Sequence, residues 1–250
     1  MHCSKSIFGV IAVAILAATG PVFAAGSPYD QCLARTQSDP AGALLQAAAW
    51  AKTGGGAAAD HCAALALVGL RRFDEAGIKL DSLARSAFAA NGTVRMNLFD
   101  QAGNAWLLAG RPDSAIVSFT AALAVDPLDA DLLADRARAN AVKKNWAKAE
   151  SDLSAALMVN PARTDLYVLR GSARHAMGRK ADARGDFDSA LRIDPRNADA
   201  LVERGTNKYE AGDVAGARAD WQAVVTYQPN SPAAETARQH LADTAPPSAP

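Results

Sequence analysis

The second half of this 250-residue chain is built on a 34-residue period, which limits the folds open to it. Four columns of similar residues keep that spacing: Pro127, Pro161, Pro195 and Pro229; Ala115, Ala149, Ala183 and Ala217; Phe119, Leu153, Phe187 and Trp221; and Leu123, Leu157, Leu191 and Val225. Chance does not produce four coincident columns at one period. The segment 96–229 is therefore predicted to be a tandem array.

Each repeat predicts two helices. In the third repeat, apolar-periodic runs cover 165–177 and 181–193. Gly110, Gly178 and Gly212 stand between the two runs in three repeats, where a helix ends in a left-handed turn. The second repeat has Lys144-Asn145 there, and asparagine tolerates that conformation. Because a helix pair of this size cannot bury its apolar face alone, the copies must stack.

Composition agrees with close-packed helices and excludes several classes of protein. The chain has 59 alanines, and alanine is the best helix former but a poor filler of wide cores. Aromatic residues make up only 6%, which argues against a β-sandwich or barrel. The formal net charge is zero with no basic block, so the sequence predicts no nucleic-acid partner.

The columns resemble the tetratricopeptide repeat family. In the first unit the matching residues are Phe99, Ala102-Gly103, Trp106, Ala115, Phe119, Ala122 and Pro127. The resemblance implies an all-α fold, a right-handed α-solenoid of antiparallel helix pairs, with units at about 96–129, 130–163, 164–197 and 198–231. Polar residues replace the first-helix aromatic in three units, which predicts less tightly clamped helices there: Asn140, Arg174 and Lys208.

The flanks of the array are predicted to cap it. Residues 25–95 form an N-terminal helical region, in which 57–90 is a degenerate unit followed by five extra residues, 91–95. Before that unit, a helix is expected to run from Pro40 to Lys52 and to end at three glycines. A capping helix is expected over 230–243, and the tail 244–250 is expected to be disordered.

The first 24 residues have the pattern of a cleaved signal peptide. Lys5 precedes an uncharged apolar run over 7–18, and Val22-Phe23-Ala24 offers small residues for cleavage. We expect an exported protein of the bacterial periplasm that meets a membrane only through this leader. The alternative is an uncleaved membrane anchor, although the run is short for a span and Pro21 interrupts it.

Removal of the leader leaves two cysteines, Cys32 and Cys62, and an even pair in an exported protein predicts a disulfide. Free thiols are one alternative. Because His61 adjoins Cys62, a zinc site or a Cys–His nucleophile pair are others, but one ligand is missing for structural zinc. The rest of the sequence contains no set of catalytic residues, no regularly spaced metal ligands and no phosphate-binding loop. We therefore expect no enzyme activity, no cofactor and no metal.

In tetratricopeptide proteins, one face of each first helix lines a concave groove that holds an extended peptide or a partner's helix. The resemblance assigns this groove stripe to sixteen residues: Asn97, Asp100, Asn104 and Leu107; Asp131, Ala134, Arg138 and Ala141; Asp165, Val168, Ser172 and His175; and Asp199, Val202, Thr206 and Tyr209. The best polar or stacking contacts among them are Asn104, Arg138, His175 and Tyr209.

Two features qualify this assignment. The first-turn aspartates Asp131, Asp165 and Asp199 are expected to cap helices and meet the helix dipole rather than grip a ligand. Asp100 stands where some family members have a lysine that binds a partner's terminal carboxylates, so binding of chaperone tails is not expected.

These observations predict a non-enzymatic interaction scaffold in the cell envelope, with a protein or peptide partner. The alternatives are a structural solenoid that associates with copies of itself, and an accessory subunit of an envelope enzyme or assembly complex.

Overall fold

A computed structural model describes residues 26–86 and 91–244, and the regular structure in this part of the chain is helical throughout. This confirms the all-α prediction. The predicted leader and all of the predicted tail except Thr244 lie outside the described residues. The helices are α1 (Pro28–Ser38), α2 (Pro40–Trp50), α3 (Gly56–Gly69), α4 (Phe73–Arg85), α5 (Gly92–Leu108), α6 (Pro112–Leu123), α7 (Ala130–Val142), α8 (Trp146–Val159), α9 (Thr164–Ala176), α10 (Lys180–Ile193), α11 (Ala198–Glu210), α12 (Val214–Tyr227) and α13 (Pro232–Asp243).

The helices stack in chain order. Each contacts the next one, and the first helices α9 and α11, like α5 and α7, also contact each other. Six pairs result, from α1–α2 to α11–α12, and α13 covers the last pair. Because every pair packs on its neighbours, the apolar core is distributed along the stack rather than gathered in one centre.

Small residues allow the two helices of a pair to approach closely. The repeated alanines Ala115, Ala183 and Ala217 are fully buried. Gly103 lies against the ring of Phe119, where an added Cβ would be 2.5 Å from Cε1. Gly171 meets Phe187 at the same distance. The alanine-rich composition is thus explained by close packing between helices.

The turns inside the pairs follow the expected chemistry with one correction. Gly110, Gly178 and Gly212 have φ of +70°, +78° and +87°. In the second unit Lys144 adopts the left-handed conformation, with φ of +59°, whereas Asn145 has φ of −82°. Our expectation that asparagine takes this turn is wrong, because the left-handed residue must precede the one that starts the next helix.

The N-terminal region contains one more helix than expected. α1 and α2 form a pair joined at Asp39, whose side chain accepts a hydrogen bond from the Gly42 amide. After α2 the backbone leaves helical geometry at Thr53 and at Gly54, one of the predicted glycines, which has φ of +97°, and α3 begins at Gly56. Residues 92–95, expected as an insertion, form the first turn of α5, because Asn91 caps that helix.

Cys32 on α1 and Cys62 on α3 are fully buried and joined in disulfide geometry, with Cα atoms 6.1 Å apart. The pair ties the N-terminal helix to the first helix of the degenerate unit. Oxidation of the two thiols in the cell stays a prediction.

A ladder of ion pairs crosses the array at the 34-residue period. In each of three units an arginine of the first helix forms two hydrogen bonds with a buried aspartate sixteen residues later: Arg136–Asp152, Arg170–Asp186 and Arg204–Asp220. The third guanidinium nitrogen reaches back to the second helix of the preceding unit, to Thr120, Ser154 or Asp188. This Arg–Asp ladder therefore joins consecutive units.

The ladder corrects our expectation of loosely clamped first helices. Arg174 donates to Asp186 and, 2.7 Å away, to Glu150 of the preceding unit. Lys208 lies 2.8 Å from Asp220. These cations hold the first helix against its neighbours through charged hydrogen bonds, whereas an aromatic side chain would do so through buried apolar area. Asn140 alone stays within its own helix, where it donates to the carbonyl of Arg136.

Candidate peptide-binding groove

The structure places the predicted polar groove residues on a surface that a ligand can reach. The twelve polar or large members of the groove stripe, from Asn97 to Tyr209, are all at least partly exposed. By contrast, the small apolar members Ala134 and Val202 are buried beneath that surface. The stripe thus has polar walls over an apolar floor.

Contacts between successive first helices make this surface continuous. His61 of α3 bonds through Nε2 to the Gln101 amide oxygen of α5, 2.7 Å away. Arg163, which precedes α9, pairs with Asp131 of α7. His175 of α9 lies 2.9 Å from Glu210 of α11. Side chains therefore bridge three of the four junctions between first helices from α3 to α11, and α5 contacts α7 at the fourth.

The groove is acidic where α5 faces α7. Burial, followed by the charges of Asp135, Asp129 and Asp131, raises the pKa of Asp100 to about 6. Its neighbour Asn104 donates to the Asp100 carboxylate over 3.0 Å. The field at this end is thus negative, opposite to the lysine-rich groove that binds terminal carboxylates.

The first-turn aspartates only partly match their predicted role. The residue that caps α7 is Asp129, which accepts from the amides of Asp131 and Leu132. Asn197 caps α11 in the same way, so Asp199 lies inside the first turn. The predicted capping by this column is therefore wrong: at α7 and α11 the capping side chain stands two residues earlier, and at α9 the N-cap residue, Arg163, makes no capping hydrogen bond.

Two of these aspartates take part in ion pairs instead. Arg163 pairs with both Asp131 and Asp165, and the hydrogen bonds that it donates to Asp165 and Asp131 raise its pKa. Position in the first turn still favours a negative charge through the helix dipole.

An apolar cavity of about 170 Å³ opens between α7 and α9. Groove-stripe residues Arg138, Ala141 and Ser172 stand at its lining together with Ala137, Trp146, Ala149, Leu153, Leu169 and Ala173. The cavity exists because α7 contributes the small side chains of Ala137 and Ala141 here, which do not fill the space between this helix and the Trp146 ring.

At the far end, Glu203 of α11 lies next to the groove stripe and was not predicted from the sequence. Burial and the charge of Asp199 raise the pKa of Glu203, while the charges of His175 and His240 act in the opposite direction. Tyr209 is 46% exposed and tilts against Trp221, with ring centroids 6.0 Å apart. This end offers a hydrogen-bonding and aromatic surface.

The four predicted best contacts do not form one cluster. Each belongs to a different unit and has its own partner: Asn104 with Asp100, Arg138 with Asp135, His175 with Glu210, and Tyr209 with Trp221. The residues missed from sequence share a column one place after the second stripe position: Gln101, Asp135, Leu169 and Glu203. This column is polar in three of its four units, and that recurrence could have identified it from the sequence.

Other chemistry is sparse in the described ranges. Within 26–86 and 91–244, no three or more His, Cys, Asp or Glu side chains are grouped so as to hold a metal ion. His61 instead accepts from the Tyr29 hydroxyl at Nδ1, 2.5 Å away, while Cys62 is joined to Cys32. Among the described helices, none has both the length and the apolar character needed to cross a bilayer.

Comparison with known proteins agrees with the fold. A crystal structure of MamA is similar to this chain, with a TM-score of 0.60 and 17% identity over 79% of this chain and 100% of that one. YrrB, described as a tetratricopeptide repeat protein with an unusual peptide-binding site, gives a TM-score of 0.57 and 19% identity, covering 76% of this chain and 96% of its own. No curated protein sequence matches.

The family model described as "Tetratricopeptide repeat" matches residues 101–167, 145–198 and 168–235, more than half of the chain. The matched segments coincide with the helix pairs from α5 to α12 and with the groove stripe that these pairs carry. The chain belongs to the tetratricopeptide repeat family.

Proposed function

We propose that this protein is a non-enzymatic interaction scaffold of the cell envelope, which holds an extended peptide or a helix of a partner protein in the groove. The observation that carries the proposal is the continuous, partly exposed stripe across α5, α7, α9 and α11. Such a surface presents hydrogen-bonding groups beside an apolar cavity, the combination that peptide-binding surfaces use. The peptide-binding site named for YrrB is consistent with this reading.

The envelope location is supported by the sequence of the leader and by the buried cysteine pair. Fractionation of the source cells, with mass spectrometry of the mature N-terminus, tests it. We expect a chain beginning at Ala25 in the exported fraction. A chain that retains its first 24 residues in the cytosolic fraction would contradict the assignment.

Site-specific photocrosslinking in the source cells tests the groove. A photoreactive amino acid is placed at Ser172 or Thr206 in the groove and, as a control, at Ser189 or Asp182 on the second helix α10. Partners are expected to crosslink from the groove positions only, and the double variant Asn104→Ala/Arg138→Ala should weaken capture. Equal crosslinking from both sets of positions would reject the groove as the binding surface.

Self-association is a second candidate, because exposed apolar residues also recur at the 34-residue period. Val125, Val159, Ile193 and Tyr227, at the ends of the second helices, are each between 40% and 48% exposed. Light scattering coupled to size-exclusion chromatography separates the two candidates. A stable oligomer whose size does not change with dilution would favour the self-associating solenoid over the scaffold.

A further inference from the structure

The cavity between α7 and α9 has the dimensions of a pocket for one side chain. Its volume is about 170 Å³, and its lining exposes almost only carbon atoms, from alanines, two leucines and the Trp146 ring. A dry apolar cavity of about 150 Å³ accepts a benzene molecule. A leucine, methionine or phenylalanine side chain from a partner therefore fits here and would be removed from water.

The charges next to the cavity are one cation, Arg138, and several carboxylates. Arg138 stands at the cavity, but its guanidinium is engaged by Asp135 one turn earlier in α7. Beyond Asp135 lie Asp100, which accepts a hydrogen bond from the Asn104 amide, and Asp129, which accepts from two backbone amides at the start of α7. In the described ranges neither carboxylate pairs with a cationic side chain, so a lysine or arginine of a partner would complement them.

Helix geometry sets the spacing between the two features. Asp135 precedes Arg138 by three residues, which is about 4.5 Å along α7, and Asp129 is about 9 Å further. An extended peptide advances about 3.3 Å per residue. A side chain in the cavity and a cation at the aspartates would therefore be about two to four residues apart in a bound segment.

We infer that the groove selects a partner segment with one large apolar side chain, which enters the cavity, and a lysine or arginine about two to four residues away. This inference rests on the proposed function, since it names the chemistry of the segment that the groove would hold. A segment with an acidic residue at that place would meet like charges and is disfavoured.

Selection of displayed random twelve-residue peptides on the full mature chain tests the inference. We expect enriched sequences to combine a large apolar residue with Lys or Arg within four positions. Enriched sequences that lack the basic residue, or carry an acidic one there, would overturn the inference and leave groove binding intact. If no peptide binds, the proposed function fails as well.

Substitutions in the selected peptide provide the second measurement, because they leave the protein unchanged. Replacing the apolar residue by alanine or the basic residue by glutamine should each weaken binding about tenfold, as measured by fluorescence anisotropy. No change on either replacement would overturn the inference. Substitutions in the peptide thus test the inferred chemistry of the bound segment even if variants of the protein do not fold.

Protein variants locate the two contacts. Ala141→Leu fills the cavity and Asp100→Asn removes one charge, and both should weaken the same peptide by about fivefold or more. The matched controls are Ala181→Leu and Asp182→Asn, both exposed on α10. Equal affinity in Asp100→Asn and its control, with circular dichroism unchanged, would show that the basic residue is held elsewhere.

Discussion

The guanidinium of Arg170 holds the carboxylate of Asp186 through two hydrogen bonds, Nη2 to Oδ1 over 2.7 Å and Nε to Oδ2 over 3.1 Å. The Asp186 side chain is only 4% exposed, and Arg174 adds a third bond to it. The same pair recurs one unit before and one unit after. Charge pairing of this kind fixes the two helices of a unit in register while the apolar columns supply the burial.

Replacement of this carboxylate should destabilise the array strongly. Asp186→Ala removes a buried carboxylate and leaves the partly buried Arg170 and Arg174 without their shared partner; removal of one partner from a buried pair costs about 3–5 kcal/mol. Urea denaturation followed by circular dichroism measures the change. Asp182→Ala, which removes an exposed partner of Arg179, is the control and should cost less than about 1 kcal/mol. Similar losses in both variants would contradict a structural role for the ladder.

Glycines inside the helices should respond to alanine with opposite signs. At Gly103 a new Cβ would lie 2.5 Å from the Phe119 ring, so Gly103→Ala should destabilise by about 1–3 kcal/mol through overpacking. At Gly185 on α10 no atom lies within 4 Å of the added Cβ, so Gly185→Ala should stabilise by about 0.5–1 kcal/mol. Denaturation midpoints of the two variants check this. A gain in stability for Gly103→Ala would refute the close approach of α5 and α6.

Reduction of the cysteine pair should loosen the N-terminal helices. The bond would close a loop with a sequence separation of 30, worth about 3–4 kcal/mol on the chain-entropy estimate. Dithiothreitol should lower the melting temperature of the wild-type chain, and Cys32→Ser/Cys62→Ser should already melt low and not respond. Thiol labelling under denaturing conditions gives the redox state directly. Two labelled cysteines in the exported protein would exclude the disulfide.

The pH dependence of stability should show the effect of Asp100. Burial and the facing charges of Asp129, Asp131 and Asp135 on α7 raise its pKa to about 6, above the 3.8 of an exposed aspartate, whereas Asn104 on its own helix opposes the shift. Between pH 4 and 6 the unfolded chain therefore loses this proton more readily than the folded one, and Asp100 stabilises the fold progressively less as pH rises. Above pH 6 the penalty is complete.

Asp100→Asn removes that penalty. The variant should gain stability relative to wild type as pH rises from about 4 to 6, with no further change above that range. Denaturation at four pH values measures the difference, and Asp182→Asn serves as the exposed control. A difference that is constant with pH, or that shrinks as pH rises, would contradict the raised pKa.

Much of the fold could be predicted from the sequence because its determinants are local. The 34-residue columns indicate where each helix lies, and Gly110 and Pro127 mark ends that backbone sterics impose on any chain. The small residues at Ala115 and Gly103 indicate where helices approach. Two helix starts were missed, at Pro28 and at Gly92, because their caps, Ser27 and Asn91, lie outside the periodic pattern.

The groove was less accessible to sequence reasoning. Its stripe follows from helical spacing, and the structure leaves all twelve of its polar or large residues at least partly exposed. The 34-residue columns could have shown that Gln101, Asp135 and Glu203 hold the same position in their repeats. They could not have shown that this position faces the groove. That depends on how far each first helix is rotated against its neighbours, and side chains of other units decide the rotation.

The sequence by itself determined a stack of paired helices, most of the helix ends and the residue columns that are buried. It could do so because helix periodicity and the steric limits of turns act over a few residues. Only the tertiary structure decided which charges meet. Arg170 and Asp186 are sixteen residues apart in the chain. The pKa of Asp100 is raised by aspartates about thirty residues away. The same holds for the cavity between α7 and α9, whose walls come from three helices. Pairing, pKa and cavity volume depend on distances across helices, and the packing of consecutive units sets those distances.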